Sequence, residues 1–448
     1  VNRFDFKGSK CTINRNGIEV VILADDKTKL NQMIEILHEN LVKRKLDPRS
    51  VVMKKEERAS GDAIRHISAI QQGIGQSVSR TILKSVKGVK LKVQVKIQGE
   101  ELRIGIRYII GEVDIEGTLK DLSSLAETHI ENACQIAFEK LNTQYGNETN
   151  IPDSFAIIGM GKLGGSEINF KSDLDLIFVY EDMPNDSLFS GNVVLFYTKI
   201  SQLLHELTSE ITSSGYVYKI DSDLRQEGKS GRMVNSIKSY EDYYKTRSRT
   251  WEQQAMVRAR FIAGNQQTGE NFINMVKNFT YRSKLEYESI IDISRLREKI
   301  EKDLAGETAK EKNVKLGYGG LMDIEFATQI LQMIHGKKNH QLRETNTLSA
   351  ITQLGTLGII DHIDSKNIKK HYLFLRNLEC ALRIQNISLM SHLPKEQENL
   401  LMLAKLLKYS EKKSTDIVEE FVRDYTQTTK EIRAFYIKTI DTLLRTAL

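Results

Sequence analysis

The chain has 448 residues, of which 28% are charged and 40% hydrophobic, and it carries a formal net charge of +6. That length suits two or three domains with sizeable cores, and a mild basic excess spread along the chain suits a phosphate-bearing ligand without demanding nucleic acid. Cys11, Cys134 and Cys380 are odd in number, far apart and outside any C-x-x-C, which argues against a disulfide framework or zinc site and fits a reducing cytoplasm. The nine histidines are dispersed without metal-binding spacing. No apolar run approaches the roughly eighteen residues of a membrane span. The start, Val1-Asn2-Arg3-Phe4-Asp5, is no signal peptide, so neither a membrane nor export is indicated. The missing initial Met suits a fragment or another start.

Residues 1–102 read as a separate α+β unit. Ile18-Glu19-Val20-Val21-Ile22-Leu23 is β-branched enough for a strand. From Lys29 to Leu41, the positions Leu30, Met33, Ile34, Leu37 and Leu41 form one helical face, and a second helix is predicted from Ile74 to Val86. Leu91, Val93, Val95 and Ile97 alternate with Lys92, Gln94 and Lys96, the pattern of a half-buried strand. Phe6-Lys7-Gly8-Ser9-Lys10, Leu41-Val42-Lys43-Arg44, Gln72-Gly73-Ile74 and the run from Lys90 to Glu100 resemble the YajQ family of small nucleotide-binding proteins. That resemblance implies two ferredoxin-like βαβ units, of which this chain would hold a partial copy without the first strand and helix. Lys84, Lys87, Lys90, Lys92 and Lys96 read either as a solvated basic face or as a phosphate or RNA contact surface. Near Leu102-Arg103-Ile104 the sequence changes character.

Residues 103–150 read as a helical connector. Leu119, Leu122, Leu125 and Ala126 lie on one face, which Ile130, Ala133, Ala137 and Leu141 continue. Pro152, one of four prolines, marks the entry to a further unit. There an apolar run reaches a glycine-dense turn, Gly159-Met160-Gly161-Lys162-Leu163-Gly164-Gly165-Ser166, and a second run leaves it carrying Asp173 and Asp175. On a strand these two share a face while Leu174, Leu176 and Phe178 turn into the core. Carboxylates held that close repel unless a cation sits between them, and a magnesium ion bridging to phosphate is the usual solution. Gly161, Gly164 and Gly165 would let the backbone approach a triphosphate and offer it N–H groups. A lone D-x-D is more often a solvated edge pair, and Gly159, Gly161 and Gly164 also spell a G-x-G-x-x-G. A dinucleotide site would open a helix at that point, whereas the chain returns to a strand within about seven residues. The spacing therefore favours a nucleotidyltransferase arrangement, with a third carboxylate arriving from a later strand.

The run GMGKLGGSEINFKSDLDLIFVY resembles the signature of the GlnE family, the adenylyltransferase and adenylyl-removing domains that modify glutamine synthetase. The resemblance continues through the run from Tyr218 to Arg225, Gly228 and Gly231, Tyr243-Tyr244, Trp251-Glu252, Arg258-Ala259-Arg260, Gly319-Gly320, Asp323-Ile324-Glu325-Phe326 and Asn346-Thr347-Leu348, covering about 103–448. It implies Asp173, Asp175 and Asp221 as catalytic, metal-holding carboxylates of a two-metal site. It also implies Gly161, Lys162, Gly164, Gly165, Ser166, Arg225, Arg258 and Arg260 as nucleotide contacts, with Mg2+ and ATP, or phosphate and ADP in the removal direction. Two positions depart from the family pattern. Asp223 stands where the pattern has an arginine and Gln226 where it has a proline. Alternate strand positions would place Asp223 on the face of Asp221, as an extra ligand or as a loss of phosphate binding.

Phe196 to Ile211 is predicted as an amphipathic helix and Tyr216 to Asp221 as a strand. Trp251 to Arg260 has helical spacing, with Trp251, Ala255 and Ala259 on one stripe. On its residues alone that stripe is equally a core face whose arginines pair with nearby carboxylates. Beyond Gly264 the pattern is almost wholly helical. Ile324, Ala327, Leu331 and Ile334 form one stripe, and Leu375, Leu378 and Leu382 another, as in a bundle. Gly317, Gly319 and Gly320 suit a tight turn or helix entry, with Asp323 and Glu325 as caps and surface charges, whereas the resemblance to the GlnE family implies that this block packs by the catalytic face.

The expected class is α+β: a partial ferredoxin-like domain (1–102), the connector (103–150), a nucleotidyltransferase mixed-sheet domain (151–265) and a C-terminal helical bundle (266–448). The function expected is addition of AMP to, or its removal from, a tyrosine of glutamine synthetase in the cytoplasm. Glu241-Asp242-Tyr243-Tyr244 resembles the removing half of the family. Thr250-Trp251-Glu252 and the run from Met322 to Phe326 resemble the adding half, and the reading leans to addition. A small nitrogen-signalling protein is a second candidate partner. The alternatives are a non-catalytic nucleotide sensor with a worn site and uridylyl transfer to a small signalling protein.

Overall fold

The computed structural model describes residues 3–7, 10–15, 18–23, 100–145, 153–182, 192–209, 217–281, 286–308, 311–385, 391–409 and 416–447. The helices expected over 29–41 and 74–86 and the strand expected over 91–97 lie outside the described residues. At the N-terminus, β1 (Arg3–Lys7), β2 (Lys10–Arg15) and β3 (Ile18–Leu23) form an antiparallel sheet in that order. The predicted strand is β3.

A helix over 100–109, α1, is followed by α2 (Ile115–Gln144), whose first turn is capped by Asp114 accepting from the Gly117 amide at 2.8 Å. The stripe expected on the connector is its buried face: Leu119, Leu122, Ala126, Ile130, Ala133, Ala137 and Leu141. That face packs onto the central sheet, so the connector helix and the sheet share a core.

The sheet holds β4 (Phe155–Gly159), β5 (Leu174–Tyr180), β6 (Ile220–Asp221), β7 (Val234–Ser236) and β8 (Arg260–Gly264). Its order is β6-β5-β4-β8, and β7 also pairs with β5. β4 runs antiparallel to β5 and β8, while β5 runs parallel to β6 and β7. The period of two divides the apolar residues between two faces. Phe155, Ile157, Leu176 and Phe178 meet α2 and α3 (Val193–Ser209). Ala156, Ile158, Ile177 and Val179 meet α4 (Ile237–Thr246) and α6 (Gln266–Thr280). With both faces covered, the strands read as continuous apolar runs.

Two predicted elements change. The helix expected to run from Trp251 to Arg260 stops at Ala255 as α5 (Thr250–Ala255); one tight turn follows, and Arg260 opens β8. Phe261 and Ile262 are strand formers, and the ladder to β4 gives this stretch partners that a continued helix would not. The strand expected from Tyr216 is reduced to Ile220 and Asp221.

The C-terminal part is a bundle of α7 (Tyr287–Leu304), α8 (Leu321–His335), α9 (Thr347–Thr356), α10 (His362–Ile384), α11 (Gln397–Leu406) and α12 (Ile417–Ala447). Ile324, Ala327 and Leu331 pack with Leu375, Leu378 and Leu382 in its core, as their spacing predicted. No helix among the described residues is long and apolar enough to cross a membrane.

Candidate active site

The turn between β4 and β5 brings backbone against a carboxylate. Gly161 sits at φ 52°, and a Cβ there would fall on the Asp175 carboxylate. Only glycine combines that backbone with that clearance. The Met160 amide donates to the Asp175 carbonyl at 2.8 Å and ties the turn to β5. Asp175 is paired in register with Asp221 across the parallel β5–β6 ladder, so the two side chains leave the same face. The Asp223 amide donates to Asp221 Oδ1 at 2.8 Å and fixes that carboxylate. Burial first, then the neighbouring Asp221 and Asp173, push the Asp175 carboxyl up to about 6, with Lys315 acting in the opposite direction.

Asp173 falls one residue before β5 rather than on it. Its side chain is 48% exposed, with Oδ2 3.4 Å from Lys219 Nζ. Among the described residues no three carboxylate, histidine or cysteine groups close around a metal ion, although Asp173 and Asp221 both act electrostatically on Asp175. Asp175 and Asp221 alone still fit a hard cation by their chemistry, because magnesium is commonly held by one or two carboxylates together with water and substrate phosphate. These two half-buried like charges on adjacent strands also lack a counter-charge within ion-pair range among the described residues.

The turn does less for a phosphate than its glycines suggested. The amides of Gly164, Gly165, Ser166 and Glu167 donate to Met160, Gly161, Leu163 and Lys162 carbonyls at 2.9, 3.4, 3.0 and 2.8 Å. They are therefore not presented outward. Arg258 lies over Gly164 and Gly165, leaving neither room for a side chain, so these glycines serve packing.

Each cation that the sequence nominated for the nucleotide is held by protein instead. Lys162 pairs with Glu325 and donates to the Tyr372 hydroxyl at 3.4 Å. Burial lowers its pKa, against the pull of Glu325. Arg258 is buried, bonded to Glu167 and the Thr345 carbonyl at 2.7 Å each and to the Thr347 hydroxyl. Arg260 donates to the Gly164 and Leu163 carbonyls at 2.9 Å each and pairs with Glu127. Arg225 clamps its own loop through the carbonyls of Ser222, Gly231 and Lys229 at 2.7, 3.1 and 3.1 Å. A guanidinium so fully engaged is a strut, and the core reading of the Trp251–Arg260 stretch holds for Arg258.

The departures at Asp223 and Gln226 find local partners. The chain leaves β6 after Asp221, so Asp223 lies beyond the strand, with Oδ2 3.3 Å from Lys229 and Oδ1 3.8 Å from Arg225. Gln226 is buried and donates to Asn235 Oδ1 at 2.8 Å and Ser239 Oγ at 2.9 Å. Neither residue projects as a ligand beside Asp221.

Sequence reasoning missed how the bundle joins the turn. Read from the residues alone, Asp323 and Glu325 were expected as caps and surface charges, although the family resemblance implied that their block packs by the catalytic face. Glu325 instead meets Lys162. Asp323 is fully buried, accepting from Arg297 at 2.6 Å and from the Gly319 amide at 3.0 Å. It also missed Glu167. Burial alone would raise that carboxyl, but Arg258, Lys162 and Arg376 together hold it below its ordinary value. The signal available was the glycine cluster at Gly317, Gly319 and Gly320, which marked the loop but not its destination.

The family model described as Glutamate-ammonia ligase adenylyltransferase matches residues 65–275, that of the Nucleotide-binding protein YajQ-like family matches 1–107, and that of GlnD PII-uridylyltransferase matches 293–440. A bifunctional glutamine synthetase adenylyltransferase/adenylyl-removing enzyme from Hahella chejuensis is 31% identical over 303 residues, 66% of this chain and 31% of the relative. Proteins of the same description from Pseudomonas aeruginosa and Methylococcus capsulatus are 31% identical over 317 residues and 33% over 300, covering 69% and 66% of this chain and 32% of each relative. The chain thus spans about a third of the length of these curated relatives.

Proposed function

From the match of residues 65–275 to the glutamate-ammonia ligase adenylyltransferase family model, we propose that this chain moves AMP onto, or off, a tyrosine hydroxyl of glutamine synthetase, with addition the favoured direction. The observation that carries the reading is the Asp175–Asp221 register pair, with the Gly161 backbone packed against the Asp175 carboxylate. In addition, the tyrosine oxygen attacks the α-phosphorus of ATP. The bond to the bridging oxygen breaks, pyrophosphate leaves with that electron pair, and the hydroxyl proton passes to solvent or a basic group. In removal, a phosphate oxygen attacks the phosphorus of the tyrosyl-AMP, ADP forms and the tyrosine oxygen regains a proton.

Asp175 and Asp221 would hold a divalent cation, with Asp173 at its open side. When bound, that cation supplies charge neutralisation at the phosphates and steadies the leaving pyrophosphate. The chain's own contribution is positional. The Met160–Asp175 backbone bond ties the turn to β5, the Asp223 amide fixes the Asp221 carboxylate, and Gly161, lacking a side chain, lets the turn pack against Asp175.

The match of residues 293–440 to the uridylyltransferase model favours a second reading, uridylyl transfer to a small signalling protein. Both are tested by incubating the chain and magnesium with α-labelled ATP or UTP, using glutamine synthetase or a small nitrogen-signalling protein as acceptor. Label from ATP on glutamine synthetase supports the first reading. Label from UTP on the small protein would replace it.

A further inference from the structure

The nominated cations are spent on the fold, so the phosphate charge of a nucleotide at Asp175 must be met by something else. The loop before α8 supplies a candidate. Asn313 is buried and organises this loop: its Oδ1 accepts from the Lys315 and Leu316 amides at 3.0 and 2.9 Å, and its Nδ2 donates to the Ala305 carbonyl at 3.1 Å. The Lys315 carbonyl accepts from Met322 in the first turn of α8 at 3.0 Å. Glu325, one turn on, pairs with Lys162, the residue next to Gly161. Gly161 in turn packs on the Asp175 carboxylate. This chain of contacts links the loop of Lys315 to the turn that packs on Asp175.

The Lys315 ammonium acts electrostatically on both Asp175 and Glu379. Glu379 is already bonded to Arg376 and, at 3.3 Å, to Arg383. Among the described residues no carboxylate lies within ion-pair distance of Lys315 itself, while Lys162, Arg258 and Arg260 each have one. Lys315 is half-buried, so its charge is neither fully solvated nor neutralised.

We propose that Lys315, carried by the helical bundle, contacts the phosphate groups of the nucleotide held at Asp175 and Asp221. The site is then completed only where bundle and sheet meet. This rests on the proposed function in that it takes a nucleoside triphosphate as the ligand. An ammonium needs no partner of its own in such a site, because the anion supplies it on binding.

The test is calorimetry of the full chain with magnesium and ATP, and separately with adenosine, for the parent, Lys315→Gln and Lys315→Arg. Lys315→Gln is expected to lose about tenfold or more in ATP affinity, the scale of one charge-assisted hydrogen bond, with adenosine binding unchanged. Lys315→Arg is expected to stay within about threefold, since it keeps the charge. ATP affinity in Lys315→Gln equal to the parent's overturns the proposal.

Should Lys315→Gln fail to fold, reductive methylation of the parent, read by peptide mass, decides it. ATP with magnesium should slow modification at Lys315 and not at Lys302, which is 76% exposed on α7. No protection overturns the proposal. A parent that binds ATP but labels no acceptor sinks the proposed function, while the same titration still decides Lys315. A parent that binds no ATP sinks both.

Discussion

Asp175 and Asp221 leave the same face of adjacent parallel strands, and the Gly161 backbone packs against Asp175. Asp175→Asn or Asp221→Asn removes one of two converging negative charges. Loss of a cation-stabilised transition state should cost several kcal/mol, so transfer is expected to fall by about a thousandfold in either variant, with the circular dichroism unchanged. More than about a tenth of the parent rate in both would contradict the reading, since that leaves little over 1 kcal/mol for the pair.

His129 behaves differently. It is buried against Tyr218 with Nε2 unbonded, and burial pushes its pKa down to about 4. The unfolded chain, with a pKa of about 6.5, takes up a proton that the folded chain refuses. Stability is therefore fully present above pH 6.5 and is lost as pH falls towards 4, by about 2 to 3 kcal/mol between pH 7 and 4.5. Urea unfolding at those two pH values should show that much less acid destabilisation in His129→Phe than in the parent. An identical drop in both would show that His129 stays neutral in neither state or both.

At the scale of elements, the glycine turn is held from behind by the bundle. Glu167 accepts from Arg258 at 2.7 Å and from the Thr347 amide at 2.7 Å, and its carbonyl accepts from Arg376 of α10. Breaking a buried pair by removing one charge typically costs about 3–5 kcal/mol, because the partner is left uncompensated. Glu167→Gln is expected to destabilise the chain on that scale in denaturant titration. A change under about 1 kcal/mol would show that Arg258 is satisfied by Thr345 and Thr347 alone.

The same network explains what could be read in the sequence. Apolar periodicity placed the α2 face, the β4-turn-β5 unit and the stripes of α8 and α10, because burial is a local pattern. The strand positions of Asp175 and Asp221 were legible too, Asp175 from its D-x-D on an apolar run and Asp221 from the resemblance to the family pattern. That Arg258 and Arg260 pair with carboxylates was one of two readings the sequence offered, but the partners of the cations were not legible. Lys162 meets a residue 163 positions away and Arg258 one 91 positions away, and side-chain pairing over such separations leaves no periodic trace. The break from helix to β8 was hidden for a similar reason, since the β4 ladder that decides it lies about a hundred residues upstream.

Across the whole molecule, every group with a chemical role in this reading lies between Gly161 and Lys315, on the sheet or at its junction with the bundle. Neither β1 to β3 nor the stretch similar to the YajQ-like family supplies one. A chain beginning at Glu100 should therefore keep its transfer rate within a few-fold. A collapse in rate with a retained fold would place part of the site in residues 1–99.

The central claim, that the Asp175–Asp221 pair transfers AMP to glutamine synthetase, is tested most directly by intact mass. The acceptor is followed with the parent chain, ATP and magnesium, and its adenylylated form with phosphate in place of ATP. The expected result is gain of one AMP per acceptor tyrosine with one pyrophosphate released, or the matching loss as ADP, both absent with Asp221→Asn. An acceptor mass unchanged in both directions, or changed equally by Asp221→Asn, would contradict it.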